Sequence, residues 1–368
     1  MLKTTSIALL LPLLAGGAGR DPADYVRLQR LSERVVLAHW IGPDRLCHLV
    51  GIQSQKGLVF IDTEMSPRIT TPIKERVERA FERTDWAYLI NTHGHHAGGN
   101  GVFADIPIVA HENLAEEIQW RIDTQTDPQR KRKALDDAAQ ILTALRNNLR
   151  QFGAGRTYAR LMHGEIRFWE LYIEDLEEGY EVVKPTLTFS DRHTLDLGDL
   201  TLELVFFGKG HSHSDILVYV PQERLLFTGA IAYQRAHLPE IGEQSHMEDV
   251  RRYLTVLDEF LDPNVPIDRV IPSHSPPLRK SDLVAIRTYY ERMLAGVQAA
   301  QRQGLTLEQA SERLAQPKAF RTYLEPSPGH WAYRLHERNL GNLWRICEES
   351  SPPNRRPEAT TDARVMPK

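Results

Sequence analysis

Short apolar runs separated by turn residues occupy the first quarter of the chain after residue 25, and they return between residues 185 and 230. The early runs cover residues 35–37, 47–52 and 57–62. Turn residues separate these runs, which predicts an antiparallel meander. Apolar residues at helical spacing over 70–83 and an apolar run over 86–90 then predict a helix and a strand. This succession indicates an α/β fold with a site at a strand's carboxyl end.

Later apolar runs predict a second group of strands. They cover residues 187–189, 195–197, 202–207, 216–220, 225–230 and 269–272. Glycine, serine and aspartate mark the turns between them. Several of these strands end near histidines or small polar residues, so their ends are candidates for a binding site.

A mostly helical insertion over about residues 112–182 separates the two groups of strands. It follows a short strand over 106–110, whose proline places it near a sheet edge. His111, just past that strand, is interpreted as a helix-start residue in preference to a metal ligand. The basic run over 129–133 is typical of a solvated helix face. A substrate lid and a plain surface elaboration both explain the insertion.

The pattern divides the chain into one large domain and flanking segments. The α/β domain covers residues 25–280, a helical extension covers 281–350, and a Pro- and Arg-rich tail over 351–368 is predicted to be disordered. Residues 1–18 combine an early lysine, an apolar core and small residues, which is typical of a secretory signal peptide cut after Ala18. We therefore expect an exported protein, periplasmic or secreted, without membrane association after cleavage.

Bulk composition excludes some classes of partner. The 368 residues are 41% hydrophobic and 26% charged, which is ordinary globular composition. A formal net charge of −4 gives no overall attraction to nucleic acid. A small-molecule substrate is the expected partner, and the sequence carries no signal of the oligomeric state.

The chain contains two cysteines, Cys47 and Cys347, which are available to pair in an oxidising compartment. Their separation does not match a CxxC metal site. Because the chain has only two cysteine sulfur atoms, metal binding is expected to depend on histidine.

Three histidines, His93, His95 and His96, follow the apolar run over 86–90, and glycines beside them mark a tight turn. Rings on such a turn can converge on one ion, and the neutral imidazole nitrogen suits zinc. The alternative is a polar loop whose histidines cap a helix. That alternative crowds the rings into a small volume in which each needs its own partner, so a metal site is preferred.

Five motifs in order resemble those of the metallo-β-lactamase fold superfamily, over roughly residues 34–275. They are Ile61-Asp62-Thr63, the cluster from Thr92 to Gly99, Gly210-His211, Phe227-Thr228-Gly229 and Ile271-Pro272-Ser273-His274. The resemblance implies an αββα four-layer sandwich, in which two β-sheets pack face to face with helices outside. It also implies a site for one or two zinc ions along the edge of the sheets.

The histidine cluster departs from the family motif. Members of the family read His-x-His-x-Asp-His before a Gly-Gly pair, whereas the span here is two residues short and lacks the aspartate. Alignment from the strand gives His93, His95 and His96 the three histidine positions, and we prefer this register. Alignment from the glycines instead puts His95 at the aspartate position of the family motif and Asn91 at the position of its first histidine. A second departure is Ala230, which stands where many hydrolase members carry an aspartate that bridges two metals.

Three histidines, His93, His95 and His211, form the expected first zinc site with an open fourth position. Such a site lowers the pKa of a bound water to about 7, which makes that water the expected nucleophile. His96 and His274 remain for a second zinc ion. Because both are neutral and no carboxylate joins them, we expect the second site to be weak or empty.

Two further residues have expected supporting roles. Asp62 is expected to accept a hydrogen bond and so orient a ligand ring, and the alternative is a strand-end residue that holds a turn. His213, two residues after His211, is either a solvent-facing loop residue or an additional ligand or proton carrier.

The sequence supports two functions. The first is an exported zinc-dependent hydrolase whose metal-bound hydroxide attacks a carbonyl group or a phosphate or sulfate ester. The second is a non-catalytic protein of the same fold that binds a small molecule or a partner. The missing aspartates favour the second, whereas retention of five loop histidines favours the first, and the hydrolase is preferred.

Overall fold

The computed structural model describes residues 21–42, 47–152, 155–232, 239–314 and 331–350. The predicted signal peptide, 1–18, and the predicted tail, 351–368, lie outside these ranges. The described chain forms two β-sheets that pack face to face, with helices on both outer faces. The predicted αββα arrangement is confirmed.

The first sheet has seven strands in sequence order. They are β1 (Val26–Arg30), β2 (Val35–Trp40), β3 (Leu49–Ser54), β4 (Gly57–Ile61), β5 (Trp86–Ile90), β6 (Ile108–His111) and β7 (Leu187–Phe189). Strands β1 to β4 form the antiparallel meander, and β4 to β7 run parallel. Because β3 is antiparallel to β4, the amino end of β3 lies at the same edge as the carboxyl ends of β4, β5 and β6.

The second sheet has five strands in the order β12-β11-β10-β9-β8. They are β8 (Arg192–Asp196), β9 (Thr201–Phe206), β10 (Ile216–Val220), β11 (Leu225–Gly229) and β12 (Arg269–Pro272). Neighbours from β8 to β11 are antiparallel, and β12 is parallel to β11. The carboxyl ends of β9, β11 and β12 therefore share one edge.

Helices flank both sheets. They are α1 (Pro67–Phe81), α2 (Leu114–Glu117), α3 (Gln119–Thr126), α4 (Pro128–Phe152), α5 (Arg156–Glu178), α6 (Met247–Leu261), α7 (Asp282–Arg302), α8 (Leu307–Leu314) and α9 (Trp331–Ser350). Helices α2 to α5 lie between β6 and β7, within the predicted insertion. Among the described residues, no helix has both the length and the apolar character needed to cross a membrane.

Strand residues alternate between two buried layers because both faces of each sheet are covered. In β2, Val35 and Leu37 belong to the core between the sheets, whereas Val36 and Ala38 belong to the core beneath the helices. Helices α1 and α5 cover the first sheet, and α6, α7 and α9 cover the second. The strands therefore appear in the sequence as continuous apolar runs instead of alternating ones.

One sequence interpretation needs correction, and the structure answers a question that the sequence left open. Cys47 and Cys347 are buried in different core layers and form no disulfide with each other. His111 is the last residue of β6, and α2 begins only at Leu114. The His111 ring stacks on the ring of Phe206, the last residue of β9, with ring centroids 3.7 Å apart. His111 therefore packs where the ends of β6 and β9 meet, and it does not start a helix.

Candidate metal centre

Loops from both sheets meet at the edge where most of the carboxyl strand ends lie. Backbone hydrogen bonds join these loops: Ile216 N donates to the carbonyl oxygen of Thr92 at 3.0 Å, and His48 N donates to that of Ser273 at 2.7 Å. The first bond links the segment after β5 to β10. The second links the start of β3 to the segment after β12. The candidate site is therefore built across the junction of the two sheets.

The histidine turn after β5 is held through its backbone. Asn91 Nδ2 and Thr63 Oγ1 each donate to the carbonyl oxygen of His96 at 3.0 Å. The side-chain amides of Asn91 and Asn100 also exchange hydrogen bonds of 2.9 and 3.0 Å. Because Asn91 is engaged in fixing the backbone, this arrangement favours the register in which His93 is the first ligand.

Two glycines let the shortened turn pack closely on the start of α1. A Cβ atom at Gly98 would lie 2.0 Å from the carbonyl oxygen of Met65. A Cβ at Gly99 would lie 2.0 Å from Thr70 Oγ1. Glycine is therefore needed at both positions for the backbone to make this approach.

The first set of candidate ligands is His93, His95 and His211, whose ligand atoms lie within 4.8 Å of one another. His95 Nδ1 and His211 Nε2 are 2.9 Å apart. His93 Nε2 is buried and has no hydrogen-bond partner among the described residues. A buried nitrogen without a partner costs free energy, and a metal ion would remove that cost. Three imidazoles are also a donor set that zinc takes in catalytic sites, so these residues fit the ion.

The second set is Cys47, His96 and His274, again with ligand atoms within 4.8 Å of one another. His96 Nε2 lies 3.0 Å from His274 Nε2, and Cys47 Sγ lies 3.2 Å from His96 Nδ1. The His93 and His96 rings are 4.6 Å apart between centroids, so the two sets are neighbours. The sequence interpretation assigned metal binding to histidine alone, whereas the structure brings a cysteine to the same place.

Burial keeps the turn histidines neutral, which is the form that binds metal. Burial and the neighbouring imidazoles lower the pKa of His93 and of His96 well below the ordinary value. Burial and His211 lower the pKa of His95 to about 4. Burial opposes protonation of His211 as well, but its hydrogen bond with Glu240 and the nearby carboxylates give it a raised pKa.

Glu240 orients the His211 ring. Its Oε1 atom lies 2.9 Å from His211 Nδ1, and its Oε2 atom accepts a hydrogen bond from Arg338 of α9. A carboxylate on Nδ1 keeps the proton there and leaves Nε2 free to bind metal. The last helix is therefore connected to the candidate ligand through one carboxylate.

Asp62 acts on His93 through an intervening hydroxyl. Its two carboxylate oxygens accept hydrogen bonds from the backbone N and the Oγ1 of Thr92, both at 2.7 Å. Thr92 Oγ1 in turn lies 2.9 Å from His93 Nδ1. Burial raises the pKa of Asp62 to about 7. The chain of hydrogen bonds fixes the His93 ring so that its Nε2 atom is the free one.

Two other positions singled out in the sequence, the candidate His213 and the motif departure Ala230, lie outside both ligand sets of the described residues. His213 borders the cavity beside the site, and its carbonyl oxygen accepts a hydrogen bond from Asn113 Nδ2 at 2.8 Å. Ala230 is buried and offers no ligand atom. The position where many family members carry a bridging aspartate thus supplies no charge here.

The first helices of the insertion contact the histidine turn. Arg121 of α3 is buried and donates to the carbonyl oxygen of His95 at 2.7 Å, with longer bonds of 3.4 Å to those of Gly94 and Met65. Glu117 of α2 packs over Gly94, where a Cβ atom would lie 2.6 Å from the Glu117 carboxyl carbon. This part of the insertion therefore supports the backbone of the site.

A cavity of about 300 Å³ lies beside His95 and His211. Its wall includes Glu117, Lys209, Glu240, Glu243 and Arg338. Arg338 is paired with Glu240, whereas the ammonium group of Lys209 makes no hydrogen bond or ion pair within the described part of the chain. One unpaired positive charge therefore borders the exposed side of the first ligand set.

Sequence reasoning missed Cys47, Arg121, Glu240 and Arg338. A signal existed for Cys47, because it begins the run over 47–52, which is predicted to be antiparallel to the strand that ends at Asp62, and this puts Cys47 at the same sheet edge. The others lie in helices or loops that match no metal motif, so only the folded chain reveals them.

An αββα sandwich with histidine-bearing loops at one edge defines a class of metal-binding α/β proteins. The family model of the metallo-beta-lactamase superfamily matches residues 44–274, and the chain belongs to this superfamily. The superfamily consists largely of metal-dependent hydrolases and includes sulfatases. A search of curated proteins gives no match.

Solved structures share this fold at low sequence identity. A metallo-beta-lactamase family protein from Thermus thermophilus has a TM-score of 0.52 and 17% identity, over 87% of this chain and 95% of its own. The stereoselective inverting sec-alkylsulfatase Pisa1 from Pseudomonas sp. has a TM-score of 0.52 and 16% identity, over 89% of this chain. The match spans 51% of that sulfatase, about half its length. A metallo-beta-lactamase from Pontibacter korlensis has a TM-score of 0.46 and 18% identity, over 72% of this chain and 99% of its own.

Proposed function

We propose that the protein is a zinc-dependent hydrolase that cleaves a small carbonyl, phosphate or sulfate ester-type substrate. The observation that carries this proposal is the first ligand set, in which one buried imidazole nitrogen, His93 Nε2, lacks a partner beside His95 and His211. A bound metal ion would satisfy this nitrogen, which the described residues leave without a hydrogen-bond partner.

The chain's own side chains supply the preorganisation that such a reaction needs. Asp62, through Thr92, and Glu240 fix the two ligand rings that flank His95. His93, His95 and His211 would hold a zinc ion, which would supply polarisation of the scissile group and a lowered pKa for a water molecule. His95 is the exposed member of the set and borders the cavity, so substrate approaches from that side.

One positive charge on the cavity wall suits an anionic substrate, although the carboxylates of Glu117 and Glu243 lie on the same wall. Lys209 contributes a positive charge that no described residue neutralises, and it lies on the same wall as His211. A sulfate or phosphate ester, or a carbonyl compound that carries a carboxylate, would pair with it. The sulfatase among the structural neighbours justifies the inclusion of sulfate esters in a substrate screen, although its likeness extends to the fold alone.

Export to the periplasm or the medium is part of the proposal. It rests on the amino-acid pattern of residues 1–18, which lie outside the described ranges.

The alternative function is that of a non-catalytic protein of the same fold. That reading is favoured by the lack of a carboxylate in either ligand set among the described residues.

Metal content and turnover of the full chain test the proposal together. We expect the purified protein to contain zinc by elemental mass spectrometry and to hydrolyse at least one member of a panel of aryl sulfates, phosphates, lactones and lactams. In His93→Ala the zinc of the first site and the turnover should both be lost, because one of three nitrogens is removed. His163→Ala, which changes a histidine of α5 outside both ligand sets, is the matched control and should keep both.

Two results would contradict the proposal. Zinc content that is unchanged in folded His93→Ala would remove the ligand assignment. A wild-type protein that binds zinc but hydrolyses nothing in the panel would favour the non-catalytic protein.

A further inference from the structure

We propose that Cys47, His96 and His274 form a second metal site in which the Cys47 thiolate takes the place of the aspartate that the shortened motif lacks. The inference deepens the proposed metal centre: it requires that the first set also binds metal, but it does not require hydrolysis. It replaces the expectation of two neutral histidines with a site that has its own negative charge.

The separations of the ligand atoms suit a tetrahedral ion. Zinc takes thiolate sulfur at about 2.3 Å and imidazole nitrogen at roughly 2.0–2.1 Å, which puts neighbouring ligand atoms roughly 3.3–3.6 Å apart. The Nε2 atoms of His96 and His274 are 3.0 Å apart, and Cys47 Sγ lies 3.9 Å from His96 Nε2. All three ligand atoms lie within 4.8 Å of one another, and because Sγ is 3.2 Å from His96 Nδ1, coordination through Nε2 requires the Cys47 side chain to turn toward the Nε2 side of the ring.

A backbone carbonyl group determines which ring nitrogen of His96 is free to bind a metal ion. Its Nδ1 atom lies 3.3 Å from the carbonyl oxygen of Thr63, which can only accept a hydrogen bond. The proton is therefore held on Nδ1, and Nε2 is left as the atom that faces His274. This is the arrangement that metal-binding histidines commonly use.

The backbones that carry Cys47 and His274 are bonded to each other. His48, the next residue after Cys47, donates its backbone N–H to Ser273 O at 2.7 Å, and its Nδ1 atom lies 2.9 Å from Pro272 O. The residues that bear two of the three ligands are thus fixed in register by the fold.

The other cysteine gives a comparison within the same molecule. Cys347 is buried in the apolar core of α9 and the second sheet, and burial raises the pKa of its thiol to about 11. It belongs to neither ligand set among the described residues. Cys347 is therefore a buried thiol outside both ligand sets of the described chain, and it provides the matched control for Cys47.

Cobalt(II) titration of the metal-free full chain tests the proposal, because a thiolate bound to cobalt gives a near-ultraviolet charge-transfer band that imidazoles do not. We expect wild type and Cys347→Ala to bind about two cobalt ions and to show this band, as a site of one thiolate and two imidazoles requires. In Cys47→Ala the band should vanish and the stoichiometry should fall to about one, since the first set is intact. Far-ultraviolet circular dichroism and a melting curve verify that each variant is folded.

The remaining outcomes separate this inference from the proposed function. A band that persists in Cys47→Ala, or a folded Cys47→Ala that still binds two ions as tightly as wild type, would overturn the assignment of the thiolate. One ion without a band in wild type would remove the second site and leave the hydrolase proposal standing. No cobalt bound to wild type would overturn both.

Discussion

At the scale of single residues, the candidate centre depends on acceptors that fix each histidine ring in one tautomer. His93 has Thr92 on its Nδ1 atom, His96 has the carbonyl oxygen of Thr63, and His211 has Glu240. In all three the contact is made by Nδ1, so the Nε2 atom is the one available to a metal. The partners of His96 and His211 cannot be read from local spacing, because they come from other parts of the chain, whereas Thr92 directly precedes His93.

Replacement of Glu240 by glutamine measures how much the hydrogen bond between Glu240 and His211 contributes to zinc affinity. Glu240→Gln keeps the size of the side chain but removes the charge that supports His211 Nδ1–H, so we expect zinc affinity to fall about 10- to 100-fold. Competition with a fluorescent chelator measures the affinity. Glu243→Gln changes an acid on the same cavity wall that is not bonded to His211, and it should leave the affinity unchanged. Equal losses in both variants would argue for a general effect of cavity charge.

At the scale of elements, the insertion between β6 and β7 has an inner and an outer part. Helices α2 and α3 contact the histidine turn through Glu117 and Arg121. Helix α4 has exposed ion pairs on its surface, such as Lys133 with Asp137. The basic run at the start of α4 is thus a solvated face, as its charge pattern indicates, while the segment just before it supports the site.

Loss of the Arg121 guanidinium should loosen the histidine turn. Arg121→Ala leaves up to three carbonyl oxygens without their donor, so we expect a loss of about 2–4 kcal/mol in the free energy of unfolding. The same variant should bind zinc less tightly, because the Gly94 and His95 backbone is no longer held. Urea denaturation and chelator competition provide the two measurements. Arg130→Ala breaks an exposed ion pair in the same insertion and should cost less than about 1 kcal/mol.

At the scale of the whole molecule, the sequence was sufficient for the architecture and for the five histidines of the two candidate ligand sets. Apolar runs between turns gave the two groups of strands, and five ordered motifs gave the αββα arrangement. The contribution of Cys47 was not recognised, because a metal motif was sought in local spacing and this residue reaches the site through the antiparallel pairing of β3 with β4. Arg121 and Arg338 lie on helices whose packing no local pattern specifies.

The C-terminal helices and the sandwich should unfold together in one transition. Leu343 of α9 is fully buried in the core of the second sheet, so Leu343→Ala should lower the free energy of unfolding by about 2–5 kcal/mol. Denaturant unfolding followed by tryptophan fluorescence and by circular dichroism should show one coincident transition. Leu307→Ala removes a side chain that is 38% exposed on α8 and should have little effect. Two separated transitions would mean that the helical extension unfolds by itself.

The two sheets contribute ligands from distant parts of the chain to both sets. His93, His95, His96 and Cys47 come from the first sheet, whereas His211 and His274 come from the second. During synthesis, no set of three is complete until His211 or His274 has been made and its sheet has docked. An emerging chain could therefore hold an ion only by partial coordination, and metal binding by the two sets would be a late event that reports completed assembly of the fold.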